Sequence, residues 1–335
     1  MKTILITGAT GFVGSHVLEA LSSLPDVKLV AACRNRGRLL PRFNGQVREG
    51  DLQDDGYLES LFENVDIVCH AASWTSLYNH RKLSKQLFLN PSLRLIDAAF
   101  ASGVSRFLNV STTSAASPDT SVDAMSQGIC RPYWPHLCNV VALENYLRKR
   151  ASREFTVVNL RLGLFAGQRY SLGLLPILLP RLKTHLVPWV AGGRTAMPII
   201  DGRDIGEAFR CAVVAEGLSG YEAFNIVGPS VPSVRQVIEY LNAEFGYPKP
   251  HFSVPFPVAF AFAWLMEVID PVVPWEPLVT RSIIHLLREV DADNSQAVEK
   301  LGYRPQVDWK EAVRMQVEEM AVRQKRAMSM RRPVK

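Results

Sequence analysis

Short apolar runs alternate with stretches of helical periodicity over the first 165 residues of the chain. Apolar runs at residues 4–7, 28–33, 67–70, 106–111 and 156–160 predict buried strands, and a short strand ending at Asp51 and Leu52 lies among them. Patterns with helical spacing at residues 13–22, 58–62, 83–102 and 140–150 separate the strands. This alternation predicts an α/β fold, a Rossmann-type doubly wound parallel sheet covered by helices.

The regular alternation ends near residue 165, where prolines become frequent. We therefore divide the chain into a dinucleotide-binding Rossmann domain, residues 1–165, and a smaller irregular substrate-binding region, residues 166–330. Stretches at 199–214 and 223–227 regain the earlier pattern, so segments near 199–227 are expected to return to the main sheet. The second region is thus expected to be discontinuous.

Three glycines, at positions 8, 11 and 14, separate the first strand from the first helical pattern. Glycines at such a turn let the backbone approach a pyrophosphate, and the free N–H groups at the helix start attract its negative charge. The strand, turn and helix context that this motif requires is present, which predicts dinucleotide binding. The residues assigned to the phosphate turn are Gly8, Thr10, Gly11, Phe12, Val13 and Gly14.

Composition places the chain among ordinary globular proteins, with 335 residues of which 47% are apolar and 21% charged. The net charge of +6 comes partly from a basic C-terminus typical of a solvated chain end, so nucleic-acid binding is not expected. Five cysteines without a C-x-x-C pair favour reduced thiols, and no metal site is indicated. Because a core strand begins at once, no signal peptide is expected, and a cytoplasmic protein is predicted.

The most apolar stretch covers residues 254–266 and contains Pro255 and Pro257. It is shorter than the roughly 20 residues of a membrane span, so no transmembrane helix is predicted. We interpret it as a packed or lid helix, with a peripheral contact to a membrane or a lipid substrate as the alternative. A small molecule is the expected substrate, and a homodimer is a candidate assembly.

The end of the second predicted strand bears on the choice between NAD and NADP. An acidic residue there would hydrogen-bond the adenosine ribose of NAD, whereas an arginine pairs with a 2′-phosphate. No Asp or Glu occurs at this strand end, while Arg34, Arg36 and Arg38 cluster. NADP is therefore predicted in preference to NAD, with Arg34 on the phosphate; Arg36 and Arg38 are also explained as solvated loop residues.

Several motifs, in order along nearly the whole chain, resemble those of the extended short-chain dehydrogenases/reductases. They are the Thr-Gly-x-x-Gly-x-x-Gly stretch from Thr7, His-Ala-Ala-Ser at 70–73, the strand and turn at 106–113, Asp-Gly-Arg-Asp at 201–204 and Leu-Gly-Tyr-Arg-Pro at 301–305. Within the NAD-dependent epimerase/dehydratase family, the chain is most similar to the branch that holds dihydroflavonol reductases and 3β-hydroxysteroid dehydrogenases.

The resemblance implies further cofactor contacts at the positions that match the family's motifs. These are Asp51 and Leu52 at the adenine, followed by His70, Ala71, Ala72, Ser73 and Asn90. Small side chains suit this use, because a cofactor that crosses the strand ends leaves no room for larger ones. Thr112 would hydrogen-bond the substrate oxygen; the alternative is an ordinary β-branched strand residue.

The family's central Tyr and Lys, four residues apart, are not both present. In that family the Tyr donates or accepts a proton, and the Lys lowers its pKa and holds the nicotinamide ribose. In the register that keeps the following helix in step, which we prefer, His136 replaces the Tyr and Val140 replaces the Lys. In the register set by Tyr133, Leu137 replaces the Lys.

Both registers leave a candidate acid or base. His136 is expected to titrate near neutral pH and is a possible substitute, although a structural or substrate-binding histidine is the alternative. Tyr133 without a neighbouring cation would keep its pKa near ~10 and be a poor base at neutral pH. The candidate catalytic residues are therefore Thr112, His136 and Tyr133.

Three functions remain open. The first is an NADP(H)-dependent oxidoreductase acting on a carbonyl or hydroxyl group of a small substrate. The second is an epimerase, dehydratase or isomerase on the same scaffold, and the third is a catalytically silent NADP-binding sensor or scaffold. Apolar residues of the second region favour a hydrophobic substrate, although each would equally pack a core: Phe165, Leu172, Leu174, Leu175, Trp189, Phe260, Trp264 and Trp275.

Overall fold

The computed structural model describes residues 1–116, 123–273, 276–288 and 292–330. Its strands, in chain order, are β1 (Lys2–Thr7), β2 (Val27–Cys33), β3 (Gln46–Glu49), β4 (Ile67–His70), β5 (Arg106–Thr112), β6 (Thr156–Leu162), β7 (Leu164–Ala166), β8 (Trp189–Val190), β9 (Ile199–Asp201), β10 (Tyr221–Ile226) and β11 (Ser253–Val254). Its helices are α1 (Phe12–Leu21), α2 (Asp55–Leu61), α3 (Arg81–Ser84), α4 (Asn90–Ala101), α5 (Pro135–Arg150), α6 (Leu174–Leu182), α7 (Gly202–Val214), α8 (Val234–Phe245), α9 (Phe256–Ile269), α10 (Arg281–His285), α11 (Ser295–Leu301) and α12 (Trp309–Met330).

Seven parallel strands of the described chain form the central sheet, in the order β10-β6-β5-β4-β1-β2-β3. The strand β1 pairs with β2 on one side and with β4 on the other, so the direction of winding reverses beside β1. A crevice opens at the carboxyl ends of the strands at such a reversal. The predicted α/β, Rossmann-type doubly wound fold is therefore confirmed.

Most strands and helices predicted within residues 1–165 are present, although their first or last residues differ from the prediction. The strand β3 ends at Glu49, shortly before Asp51, and α5 begins earlier than predicted because Pro135 suits the first helical position. The predicted helix at 83–102 is interrupted between α3 and α4 by a π-helical turn, Lys85–Leu89.

Only one of the two segments expected to return to the main sheet joins it. The strand β10 pairs with β6, from Tyr221 opposite Val157 to Ile226 opposite Leu162. The strand β9 pairs instead with β7 in a separate two-stranded sheet, because β10 already occupies the free edge of β6. The division at residue 165 stays a prediction.

Side chains of β1 alternate between the two faces of the sheet, as strand geometry requires. Ile4 and Ile6 enter the core beneath α1 and α7, whereas Leu5 enters the opposite core beneath α2, α4 and α5. All three are fully buried. Because both faces are apolar, burial holds helices on each side of the sheet and leaves the strand ends as the place for a ligand.

A third core lies among α6, α8 and α12 in the second region. Leu175 and Trp189, which favoured a hydrophobic substrate, are buried in this core, and Leu174 packs at its edge. Leu172 and Trp264 are exposed, and Trp275 lies outside the described residues. These apolar residues therefore do not form one common surface.

Two of the five cysteines are not free thiols. A disulfide joins Cys130, before α5, to Cys138 in its first turn, while Cys33, Cys69 and Cys211 are free and buried. The expectation of reduced thiols is wrong for this pair. The turn into α5 brings the two Cα atoms within 4.4 Å, a closeness that the spacing in the sequence did not reveal.

A buried ion pair fastens α5 to the sheet. Arg161 of β6 donates from Nε (3.0 Å) and Nη2 (2.7 Å) to the carboxylate of Glu144, and both side chains are almost completely buried. Ser111 Oγ and Asn159 Nδ2 donate to the same carboxylate at 2.6 Å and 2.9 Å. These donors compensate for the loss of water around the buried charge.

Removing one partner of this pair should be costly, because the other charge stays buried. We expect Arg161→Met to lower the free energy of unfolding by about 3–5 kcal/mol in urea denaturation, and Glu144→Gln in the same chain to restore part of it. Arg210→Met is the matched control, since the pair of Arg210 with Glu207 is about one-third exposed, and it should cost less than about 1 kcal/mol. Equal losses for the two arginine variants would contradict this assignment.

Candidate active site

The turn between β1 and α1 is built on close backbone contacts. Gly8 has φ +64°, and a Cβ there would lie 2.7 Å from the backbone of Ala72. A Cβ on Gly14 would lie 2.2 Å from the carbonyl oxygen of Gly8. No side chain caps the N-terminus of α1 at Gly11, so the N–H groups of its first turn are open to an anion.

A cleft of about 350 Å³ opens beside this turn, at the carboxyl ends of β1, β2 and β4. Ten of the predicted cofactor residues line it: Gly8, Thr10, Gly11, Arg34, Asp51, Leu52, His70, Ala71, Ala72 and Ser73. The structure thus brings together four motifs that are far apart in sequence.

Four other predicted cofactor residues do not line the cleft. The ring of Phe12 packs against Phe165, 5.5 Å between centroids, and Val13 belongs to the core beneath α1. Gly14 is buried within the turn. Asn90 is exposed, and the cleft is lined instead by residues on either side of it along the chain.

No motif in the sequence indicated the wall of the cleft opposite the glycine turn. Residues of this wall and of the neighbouring loops are Gln53, Tyr57, Trp74, Leu87, Phe88, Pro91 and Ser92. Trp74 directly follows the His-Ala-Ala-Ser turn, so its place in the chain was a usable signal. The contribution of Leu87 and Phe88 depends on the π-helical turn, which no residue pattern indicated.

His70 is a structural link beneath the cleft. Its Nδ1 lies 2.8 Å from Thr7 Oγ1, and its Nε2 lies 3.2 Å from Ser92 Oγ. Burial lowers the pKa of His70 to about 4, so the ring is neutral at physiological pH. The neutral ring ties the ends of β1 and β4 to α4 and thereby fixes two sides of the cleft.

The end of β2 gives the cleft a basic rim. Arg34 and Arg38 line the cleft and are exposed, and Asp51 lies on the same rim. Arg36 does not line the cleft; its backbone N–H donates to Glu49 Oε1 at 3.3 Å. Two guanidinium groups are therefore available to an anionic part of a ligand.

These residues fit a dinucleotide. The glycines leave no side chain between the backbone and a pyrophosphate, and the uncapped helix offers N–H groups to it. Ala71 and Ala72 keep the path across the strand ends open, and Asp51 and Leu52 lie at the far end of the cleft wall.

His136 lies in the first turn of α5, and its side chain is enclosed. It is 8% exposed, its Nδ1 lies 3.3 Å from Ser84 Oγ, and its ring packs edge-on against Phe88 with centroids 4.8 Å apart. Burial lowers the pKa of His136 to about 4, which differs from the near-neutral titration expected from sequence. The ring is neutral at physiological pH and does not line the cleft.

Tyr133 is half-buried just before α5, and its phenol has a partner from α10. The hydroxyl oxygen lies 2.8 Å from His285 Nδ1, a hydrogen bond whose direction depends on the tautomer of the ring. Burial raises the pKa of Tyr133, while Arg131, Arg288 and Arg281 act to lower it. No sequence pattern indicated that His285 pairs with Tyr133, because about 150 residues separate the two.

Thr112 lies near this pair at the carboxyl end of β5. Its Oγ1 accepts a hydrogen bond of 3.2 Å from the N–H of Ser114. Burial lowers the pKa of His285 to about 4, and the backbone of Ser114 partly opposes this effect. Ser114 and Ala115, which follow Thr112 closely, therefore lie beside His285 and Tyr133 respectively. Like His136, Thr112 and Tyr133 do not line the cleft.

No lysine stands beside Tyr133 or His136 at the spacing that the resemblance required. Leu137 is fully buried and belongs to a small cluster with Trp134, and Val140 belongs to the core beneath α5. Both positions are apolar, so neither contributes a positive charge or a hydrogen bond to a ribose.

Comparison with known proteins agrees with this geometry. Residues 4–227 match the family model described as the NAD dependent epimerase/dehydratase family. The chain is 25% identical over 320 residues to dTDP-D-glucose 4,6-dehydratase of Mus musculus, covering 84% of this chain and 88% of that protein. It is 22% identical over 335 residues to the decarboxylating sterol-4-alpha-carboxylate 3-dehydrogenase of Dictyostelium discoideum, covering 93% and 99%.

Solved structures show the same fold. The UDP-glucuronic acid 4-epimerase of Bacillus cereus, in complex with UDP-glucuronic acid and NAD, superposes with a TM-score of 0.71 at 18% identity, over 96% of this chain and 99% of that chain. The UDP-glucose 4-epimerase of Thermotoga maritima, with UDP-glucose, gives 0.71 at 21% identity over the same shares.

A side chain at Gly11 should block the cleft without disturbing the fold. A Cβ there meets only the carbonyl oxygen of Gly8, at 3.1 Å, and Gly11 lines the cleft. We expect Gly11→Val to weaken NADH and NADPH binding at least tenfold, about 1.4 kcal/mol, in a fluorescence titration.

Gly56→Val is the matched control, since Gly56 lies in α2 and does not line the cleft. Thermal melting should show that both variants fold. Unchanged binding by a folded Gly11→Val protein would rule out the cleft as the dinucleotide site.

Proposed function

This chain belongs to the NAD dependent epimerase/dehydratase family, and from that premise we propose that it is an NADP(H)-dependent oxidoreductase. It acts on a carbonyl or hydroxyl group of a small molecule. The observation that carries the proposal is the hydrogen bond between Tyr133 and His285, which lie beside Ala115 and Ser114, shortly after Thr112 at the carboxyl end of β5.

The cofactor is held by the residues of the cleft. The glycine turn and the start of α1 take the pyrophosphate, and Asp51 and Leu52 take the adenine. Arg34, exposed on the rim without an acidic residue at the end of β2, pairs with the 2′-phosphate that distinguishes NADP from NAD. The 4-epimerase of Bacillus cereus compared above contains NAD, so this preference needs its own test.

A nicotinamide cofactor held in the cleft would supply the hydride chemistry at the substrate carbon, and the chain's own residues would handle the proton of the substrate oxygen. Thr112 donates a hydrogen bond from its hydroxyl to that oxygen. Tyr133 gives the oxygen its proton in reduction and removes it in oxidation.

Tyr133 needs help to act near neutral pH, because burial raises its pKa. His285 gives this help in the tautomer that is protonated at Nδ1, in which it donates to the phenolic oxygen, leaves the phenol proton free for the substrate and stabilises the tyrosinate afterwards. The guanidinium of Arg281, 5.2 Å from the centre of the Tyr133 ring, adds positive charge, as do Arg131 and Arg288. His285 is a positioning residue that takes over part of the role of the missing lysine.

The NADP preference depends on one side chain. Charge-assisted hydrogen bonds to a phosphate are worth about 1.5–3 kcal/mol, so Arg34→Ala should weaken NADPH binding by roughly tenfold or more. NADH binding should change less than twofold in the same fluorescence titration.

Arg36→Ala is the matched control, because Arg36 lies on the same loop but does not line the cleft. It should leave both affinities unchanged. If Arg34→Ala reduces the affinities for NADH and NADPH equally, or if the wild type binds NADH more tightly, the assignment of NADP is refuted.

The acid/base role of Tyr133 is tested by turnover. A panel of aldehydes and ketones identifies a substrate with which the wild type consumes NADPH; Tyr133→Phe should then lower kcat at least a hundredfold and leave NADPH affinity within twofold. His285→Leu should move the alkaline limb of the pH profile to higher pH, since the tyrosinate loses its hydrogen bond. Tyr240→Phe serves as control, because Tyr240 lies in α8 and its ring packs against Trp309, away from the cleft and from Tyr133.

Three outcomes would point elsewhere. Loss of turnover on His136→Phe with full activity of Tyr133→Phe would make His136 the acid or base despite its burial. Conversion of a sugar nucleotide without net consumption of NADPH would favour an epimerase or dehydratase, the activity named for several relatives. Tight NADPH binding with no reaction of either kind would favour a catalytically silent sensor or scaffold.

A further inference from the structure

The helix α9 is almost entirely apolar and stands out from the surface. Its sequence, Phe-Pro-Val-Ala-Phe-Ala-Phe-Ala-Trp-Leu-Met-Glu-Val-Ile, buries only Ala259 and Ala263 completely. Six large side chains of the helix are more than one-third exposed: Val258, Phe262, Trp264, Leu265, Val268 and Ile269. Monomeric soluble proteins seldom expose so continuous an apolar surface without a use for it.

The outward face of α9, defined by those six residues, carries no charge. Glu267 is the single charged residue of the helix, and its side chain is only 14% exposed. It accepts hydrogen bonds from the backbone N–H (2.6 Å) and Nε (2.8 Å) of Arg281, which neutralises it on the inward side. The outward face can therefore enter an apolar medium without desolvating a charge.

The length of α9 excludes a spanning role. Fourteen residues at 1.5 Å each make a helix of about 21 Å, less than the about 30 Å of a bilayer core. In the described part of the chain, no helix is long and apolar enough to cross a membrane. A partner of α9 therefore contacts one side of the helix along its length.

The area of the face favours a lipid surface over a second copy of the chain. The outward face presents six large side chains, against roughly 20–30 residues on each side of a standard protein interface. A membrane interface needs no matching shape, and it takes an apolar helix face along its whole length. The exposed Trp264 is of the residue type enriched at the headgroup level.

The charge of the chain suits the same partner. The net charge is +6, and the guanidinium of Arg288 lies 5.6 Å from the centre of the Phe256 ring, at the first turn of α9. Phe256 packs on the inward side of the helix, so it is the positive net charge of the protein, and not Arg288 at the outward face, that suits the phosphates of a bilayer.

We propose that α9 is a peripheral membrane-docking helix, which inserts its outward face into the boundary between headgroups and acyl chains of a phospholipid bilayer. Binding follows from apolar burial along the helix, and the positive charge of the protein adds to it on anionic lipid. The proposal does not rest on the oxidoreductase function, because the outward face is separate from the cleft and only the inward side of α9, through Phe260, packs against Tyr133.

The test is co-sedimentation of the full chain with vesicles of phosphatidylcholine alone and of phosphatidylcholine mixed with phosphatidylserine. We expect the wild type to bind both, and more tightly the mixed vesicles. The variant Phe262→Ser with Trp264→Ser should lose at least tenfold in affinity for both. Leu172→Ser with Leu186→Ser is the matched control, since both leucines are more exposed than the two α9 residues and lie outside the helix; it should bind like the wild type.

Circular dichroism and cofactor titration establish that the variants fold. Absence of wild-type binding, or equal loss in the α9 and control variants, would overturn the proposal. Binding to mixed vesicles alone, abolished by salt and unchanged in the α9 variant, would assign it to net charge instead. A wild-type dimer in light scattering that the α9 variant converts to a monomer would make this face a protein interface.

Discussion

The buried carboxylate of Glu144 is the constraint on which the catalytic side of the molecule depends. Its donors come from β5 and β6, so α5 is fixed against the sheet in one position. A shift of the helix would leave a buried charge without partners, at a cost of several kcal/mol. Ser111 in this network directly precedes Thr112, and Tyr133 lies just before α5. One ion pair therefore sets the distance between two of the candidate catalytic residues.

The two halves of the candidate site depend on different properties of the chain. The cofactor half is largely backbone: Gly8 approaches the backbone of Ala72, and the uncapped start of α1 faces the cleft. The catalytic half is made of side chains from separate segments, with Tyr133 before α5 and His285 on α10. A backbone site is specified by glycines at fixed spacing, whereas a side-chain site of this kind exists only once α10 packs beside α5.

Burial also decides which chemistry each histidine can perform. His136, packed edge-on against Phe88, has its pKa lowered to about 4 and is a neutral, enclosed ring at physiological pH. Burial also lowers the pKa of His285 to about 4. Its Nδ1 lies beside the phenol of Tyr133, so the neutral ring still acts as a hydrogen-bond partner. The same low polarity keeps both rings neutral and strengthens the hydrogen bond between His285 and Tyr133.

The sequence by itself determined the parallel sheet, most elements of its first part, and most residues that line the cleft. Periodicity and glycine spacing are local, and parallel strands place their carboxyl ends at one edge whatever the rest of the chain does. The tertiary structure decided the rest. The partner of Tyr133, the pairing of β9 with β7 and the exposed face of α9 depend on how segments that are distant in the chain pack together, so no local pattern records them. The disulfide joins residues only eight apart, but it depends on the path of the turn into α5, which the cysteine spacing does not reveal.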